Sequence, residues 1–525
     1  MPYFNTRKVF LLPSFNLDAK EEEKITKYLN LLENSGVGDV ISRYVKNNTP
    51  EGGRPGYDPY NLFAVILYGF AFKRYTLRQL EEACNFDLRF ISIMEQERPI
   101  YTKFCEFINK VIVPNEEEIF SLVNKQIVEE VGIALSESTA YIDGTKQEAN
   151  ANKYKFVWKP IKHHKNLTLK IESIINNHNL IEDYNHVEMI AGKTVAYALS
   201  HLESKRYSLP EKEYEKANKA LTEMMCKVLE YEEKERICGP NRKSYYKTDK
   251  DATAMALKAD YYSGLGSNMH AAYNVQNMVI QGFSLAYHVS QSRTDINDFI
   301  DVSKQFHRLY GIYPKNICAD AGYGSLENYS FLNEHGIGNY VKHQSWEGNK
   351  SGKFPDCYRL NDDDTITCLN KKTGIEVKIE NRHPRKAEAV FYKVEGCNSC
   401  GWMPFCKKYM SKLDDDFKIF EVVKRLERFK YQAENNLLSV KGIEIRVNRS
   451  IYVEGDFGIL KQDYKYDRFR RTGLKKTSVE IMLHILGLNV AKLFRFYETG
   501  KITSLWKAPH DTVPETFKKP NMKRL

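Results

Sequence analysis

Apolar runs long enough to cross a bilayer are missing from this 525-residue chain. The longest, Leu62 to Phe72, stops short of the roughly 20 residues that a spanning helix needs, so it reads as a buried helix and no membrane partner is expected. The opening Met1-Pro-Tyr-Phe-Asn-Thr-Arg lacks the charged, then apolar, then small-residue order of a secretory signal, and a soluble, cytoplasmic protein is expected. Cysteine is sparse, 10 residues in all, which in this setting argues for reduced thiols or metal ligands ahead of disulfides. No collagen-like period or low-complexity tract is present. A large charge excess is missing too: 78 Lys and Arg against 68 Asp and Glu leave +10, a weak lean toward a polyanionic partner. Hydrophobic residues at 42% exclude wholesale disorder, and the length suits about two to four domains.

What is present is a set of three carboxylates in suggestive settings. Asp143 ends the apolar run of Thr139-Ala-Tyr-Ile-Asp-Gly-Thr, and Asp320 ends that of Ile317-Cys-Ala-Asp-Ala-Gly-Tyr-Gly. Both runs read as strands with glycine close behind, so each carboxylate would project where the backbone turns. Glu454, in Val453-Glu-Gly-Asp-Phe-Gly-Ile-Leu-Lys461, opens what reads as an amphipathic helix. Each alone has a plain alternative, a turn Asp-Gly, a strand-to-helix cap or a surface Glu. Together they suit two divalent cations about 4 Å apart, activating an attacking oxygen and stabilising a leaving oxygen at phosphorus. Magnesium or manganese fits such oxygen ligands.

The rest of the chain reads as an α/β protein with added parts. Residues 1–135 form an all-helical region, with Asp58-Pro59 as a helix start and short amphipathic helices at Thr76–Cys84 and Tyr101–Val111. These two suit a helix-turn-helix-like DNA-binding module or a small packing bundle. Residues 136–344 hold the first part of a mixed sheet with flanking helices. Within it, 152–159 alternates like an exposed strand, about 160–248 reads as a helical insertion, in plainest form a solvated hairpin, and 270–276 and 279–289 read as strands joined near Asn277-Met278. Residues 345–448 form a second insertion with a cysteine cluster, 449–500 return to catalytic-domain helices including a buried one at 479–494, and 501–525 form a basic tail.

Lys461 lies seven residues after Glu454, two helical turns on, where it would reach a DNA phosphate. Cations and aromatics then interleave through Lys465, Arg468, Arg470 and Arg471, a texture suited to neutralising a nucleic-acid backbone and stacking on unpaired bases.

Asp143-Gly-Thr, Asp320-Ala-Gly-Tyr-Gly and the segment Arg449 to Lys461 resemble the three catalytic blocks of DDE transposases from bacterial insertion sequences. Asp249-Lys-Asp-Ala-Thr-Ala-Met, Tyr273-Asn-Val-Gln276 and the helical segment around Asp58-Pro59 resemble that family as well. The resemblance implies an RNase H-like catalytic fold and Asp143, Asp320 and Glu454 as ligands of two magnesium or manganese ions. It also implies cleavage at transposon ends, transfer of the freed 3'-hydroxyl into target DNA, a homodimer in a synaptic complex, and a bacterial, nucleoid-associated location. One departure stands out. Many relatives carry Tyr, Arg, Glu and Lys with the arginine four residues before the glutamate, but here that position is Ser450, Arg449 is one place earlier, and Val447 stands where the tyrosine would fall.

Cys397-Asn-Ser-Cys400, Cys406 and Cys368 supply four thiolates for a structural zinc, with Cys357 competing as the fourth ligand; reduced, half-buried thiols are the alternative. Two other functions fit the same residues: a metal-dependent nuclease of this fold that cleaves without joining, and a catalytically inactive zinc-containing DNA-binding protein.

Overall fold

The computed structural model describes residues 17–43, 56–257, 268–352, 355–378, 388–406 and 416–502, together with the backbone but not the side chain of Glu454. Most of the basic tail lies outside these residues. The helices α1 (Ala19–Asn34), α2 (Val37–Ser42), α3 (Pro59–Ala71), α4 (Leu77–Phe86), α5 (Leu88–Ile93), α6 (Tyr101–Phe107) and α7 (Glu116–Val131) come first. Asp58 starts α3 as expected, its carboxylate accepting the Tyr60 N–H at 2.7 Å with Pro59 at the first position. Between the two helices expected to make a helix-turn-helix or a packing bundle, the chain inserts α5.

The central sheet follows. Its strands are β1 (Thr139–Glu148), β4 (Thr253–Met255), β5 (His270–Ile280), β6 (Phe283–Ser290), β7 (Asn316–Ala319) and β8 (Gly338–Val341). β5 lies antiparallel to β1 on one side and to β4 and β6 on the other, while β7 and β8 continue parallel to β1. Helix α11 (Phe299–Tyr310) leads from β6 to β7, and α12 (Leu326–Glu334) from β7 to β8. This mixed, helix-flanked sheet is consistent with the expected RNase H-like fold. The β5–β6 turn falls at Gln281-Gly282, four residues beyond the expected place. Both residues have positive φ, 49° and 87°, the turn that matches strand twist, whereas Asn277 and Met278 are buried inside β5.

Two insertions interrupt this frame. The first enters through β2 (Phe156–Trp158), forms α8 (Pro160–Asn177), α9 (Gly192–Ser204) and α10 (Glu211–Cys238), and leaves through β3 (Ser244–Tyr246), antiparallel to β2. It is a three-helix unit rather than a hairpin, because Ile171, Ile175, Val195, Leu202, Leu221 and Val228 give it a hydrophobic core of its own. The second carries a five-stranded antiparallel sheet, β9 (Tyr358–Leu360), β10 (Ile366–Cys368), β11 (Thr373–Val377), β12 (Val390–Glu395) and β13 (Phe417–Val422).

The chain ends, as described, in α13 (Lys424–Leu438), α14 (Val440–Arg449) and α15 (Leu474–Thr499). Helix α15 has the length and apolarity of a membrane span, yet 83% of that window is buried inside the protein. It packs on α3, α7 and β6, so the N-terminal helices, the sheet and α15 share one hydrophobic core.

Candidate active site

β1 and β7 pair in parallel through Ile142 and Ala319, and the next residue on each strand is the aspartate. Asp143 and Asp320 therefore stand side by side where the two strands part. The arrangement is local in origin: Asp143 stays in register with Asn277 of β5, while Asp320 leaves the sheet and caps a 3-10 turn over Ala321–Tyr323, accepting the Ala321 N–H at 2.8 Å.

A guanidinium spans both carboxylates. Arg449 places Nη1 3.7 Å from Asp143 Oδ1 and Nη2 3.7 Å from Asp320 Oδ2, with its side chain only 11% exposed. Lys342 Nζ lies 3.9 Å from the other Asp320 oxygen. Asp143 is 25% exposed and Asp320 49%. Burial pushes the Asp143 carboxyl up to about 6; the charges of Asp320 and Asp295 add to the rise, and Arg449 and the Gly144 N–H oppose it.

Behind the pair lies a polar network inside the sheet. The Tyr323 hydroxyl donates to Gln276 Oε1, Gln276 Nε2 donates to Asp295 Oδ1 at 3.0 Å, and Asn274 Nδ2 bridges Asp295 and Asp298, each at 2.9 Å. This fixes the turn after Asp320 to the strand beside Asp143. It also explains the glycine after Asp143: a Cβ there would fall 2.4 Å from Gln276 Nε2, and Gln276 is held at both ends. Asp295, not singled out from the sequence, is thereby a member of the site's surroundings. Nothing in its sequence context distinguishes it from an ordinary helix-leading aspartate.

Glu454 does not open a helix; the helical path already begins at Val440. Two π turns, Ser450–Glu454 and Ile459–Asp463, flank a short α segment at Gly455–Gly458. Tyr452 and Val453 are buried against Tyr141, Val279 and Cys318, the Tyr141 and Tyr452 rings 5.4 Å apart, which brings the Glu454 backbone beside the strands bearing the aspartates. The Glu454 side chain lies outside what the structure describes. A π turn closes i to i+5, so Arg449, five residues before Glu454, occupies the place that an arginine four before would take in an α-helix.

Lys461 reaches the same strand, donating to Thr145 Oγ1 at 2.6 Å, two residues past Asp143. The other cations expected at DNA sit further along. Arg468 donates to the carbonyls of Ala149 and Ala151 at 3.0 and 2.8 Å, and Arg471 to Asn109 Oδ1 at 3.3 Å. Arg470 lies over the Tyr75 ring at 5.1 Å, and Lys465 is exposed with φ 50°. Glu480 accepts the backbone N–H groups of Arg470 and Arg471. The basic segment is thus moored to the end of β1 and to the N-terminal helices, with the Lys465, Arg468 and Arg470 side chains still partly in water. Asp249 and Asp251, from the block noted in the sequence, hold the start of α15: Asp249 accepts the Tyr273 hydroxyl at 2.9 Å and Asp251 the Leu474 N–H at 2.9 Å.

Cys357, Cys368 and Cys406 pack against the core of the second insertion's small sheet, where Cys357 hydrogen-bonds with Cys406 and Lys418 Nζ lies 3.1 Å from Cys406 Sγ. Among the described residues, His288, Asp298 and Asp301 are the group of three or more potential ligands whose atoms come within 4.8 Å of one another; the cysteines do not reach that spacing. At the aspartate pair the donors do suit a hard divalent cation. Rigid strand ends present carboxylate oxygens, and Asp143 sits where its ionised form needs a positive neighbour.

Comparison with family models gives two matches. The transposase DDE domain matches residues 367–494, spanning Glu454, Arg449 and Lys461, and a transposase domain family (DUF772) matches residues 18–110 of the N-terminal helices. Curated proteins and solved structures give no match. The two transposase-family matches indicate a transposase function; transposases act on DNA, and DDE domains generally use divalent metal ions. The two matches support placing the chain among the DDE insertion-sequence transposases.

Proposed function

We propose that this protein hydrolyses the phosphodiester at each end of a mobile element and then joins the freed 3'-hydroxyl to target DNA. The observation that carries the reading is the placement of Asp143 and Asp320 side by side at the parting of β1 and β7, with Arg449 across both. Asp143, Asp320 and Glu454 would hold two magnesium or manganese ions, which when bound supply an activated attacking oxygen and a stabilised leaving oxygen. The chain's own groups do the positioning. Gln276 and Tyr323 keep the two aspartate-bearing segments at fixed separation, Lys461 on Thr145 and Arg449 present positive charge toward the scissile strand, and the rigid strand ends spare the site reorganisation as charge develops. Because two ends must be cut and joined together, the working unit is a homodimer holding both.

The test is magnesium-dependent cleavage and joining of the element's own terminal sequences by wild type, Asp143→Asn, Asp320→Asn and Glu454→Gln. Each substitution is expected to abolish both steps; full cleavage by any of them would remove that carboxylate from the site. Supplying a pre-cleaved 3'-hydroxyl end separates joining from cutting, and wild type that cuts but never joins it is a nuclease.

A further inference from the structure

From Ala149 to Ile171 the chain carries six lysines and no acidic residue. The run contains the ribbon strand β2 and the turn just before it, and its aromatic residues are exposed: Tyr154 of the turn is 81% exposed, and Phe156 and Trp158 of β2 are 49% and 37% exposed. Phe156 and Trp158, two apart on β2, share one face of the strand, and Tyr154 precedes them in the turn. The paired strand β3 is buried throughout, so the ribbon meets water along β2. Three exposed aromatics so close together are costly to leave in water, and Phe156 also rests 6.1 Å from the Tyr246 ring. Lysines attend them: Lys153 Nζ lies 5.2 Å from the Tyr154 ring centre and Lys159 Nζ 5.3 Å from that of Trp158.

We infer that this ribbon is a stacking platform for unpaired nucleotides of the DNA strand that leaves the reacting phosphate. Flat rings with ammonium groups beside them match bases linked by phosphates, and the match is indifferent to sequence because every base has a π face. The inference rests on the DNA-processing reading above and adds the path of the strand. β1 runs from Asp143 to Glu148, about 17 Å at strand rise, and the loop from Ala149 to Ala151 that follows is the one held by Arg468, with Asn150 donating to the Arg470 carbonyl. The carboxylates, the basic segment and the ribbon therefore lie in series. A single strand following β1 meets the aromatics beyond about 17 Å of path from the carboxylates.

The test compares full-length wild type, Tyr154→Ala/Trp158→Ala and Lys153→Ala/Lys155→Ala for binding to oligothymidylate, a blunt duplex, and that duplex with an unpaired tail. Phe156 is left intact because of its contact with Tyr246. The aromatic variant is expected to lose about tenfold or more in affinity for oligothymidylate and for the tailed duplex, with blunt-duplex affinity kept within about threefold. The lysine variant should lower the salt dependence of single-strand binding by about two counterions. Unchanged oligothymidylate affinity in the aromatic variant, or equal loss on all three probes, overturns the platform. Wild type that binds the blunt duplex while the ribbon variants change nothing sinks this inference alone. Wild type that binds none of the three sinks the transposase chemistry with it.

Discussion

At the scale of single residues, the candidate site is a balance between one guanidinium and two carboxylates. A buried carboxyl raised to about 6 is a poor ligand while protonated, so a metal ion held by Asp143 as proposed would have to displace its proton at acid pH. Calorimetric titration with manganese should show affinity rising by roughly tenfold per pH unit below 6 and levelling above it, a dependence that Asp143→Asn should lack. The sign for stability is opposite. A folded-state value above that of an unfolded carboxyl means protonated Asp143 favours the fold, a contribution fully present at low pH and lost as pH rises through about 6. Arg449 competes for the same oxygens, and Arg449→Gln is expected to bind manganese more tightly than wild type while cutting DNA more slowly; weaker metal binding would show that Arg449 assembles the pair instead of opposing the ion. Gly144→Ala should destabilise the protein by about 1–3 kcal/mol in denaturant unfolding, because the new methyl overlaps a glutamine that cannot retreat.

At the scale of elements, strand ends were readable and helix phase was not. The two aspartates could be placed because apolar runs ending in Asp, with glycine close behind, are local patterns with local causes. The turn at Gln281-Gly282 was misplaced because Asn277 and Met278 look like turn residues until the strand on their far side buries them. The position of Arg449 was opaque for a different reason: spacing along a helix predicts a face only if the helix is α throughout, and nothing in Ser450-Ile-Tyr-Val-Glu454 announces a π turn. Removing one residue there should restore ordinary α geometry, so deletion of Ser450 is expected to keep the fold and measurable DNA cleavage, whereas adding an alanine after Ser450 should abolish cleavage. Circular dichroism and end-cleavage assays on both variants check this, and an unfolded deletion variant would refute it. Asp295 and the Arg468 moorings were invisible in sequence because their partners are distant along the chain.

At the scale of the whole molecule, one core joins parts that look separate in sequence. Helix α3 packs on α15, and Tyr75 stacks on Tyr464 with ring planes 3° apart, so the N-terminal helices and the sheet should open as one unit. The three-helix insertion has its own core and should open independently. Hydrogen exchange read by mass spectrometry is expected to give α3, α15, β1 and β5 one common opening free energy and α8 to α10 a different one; a single value for all would contradict the division. The ribbon of β2 and β3 carries the remaining consequence. Trp158 and Ser244 are cross-strand partners, so the chain departs for the insertion and comes home through a doorway two strands wide. The sheet that bears the carboxylates is blind to how much polypeptide lies beyond that doorway. A short hairpin loop or a foreign domain spliced between these two residues would leave the chemistry's frame in place, which makes the ribbon a natural port for refashioning what the enzyme holds.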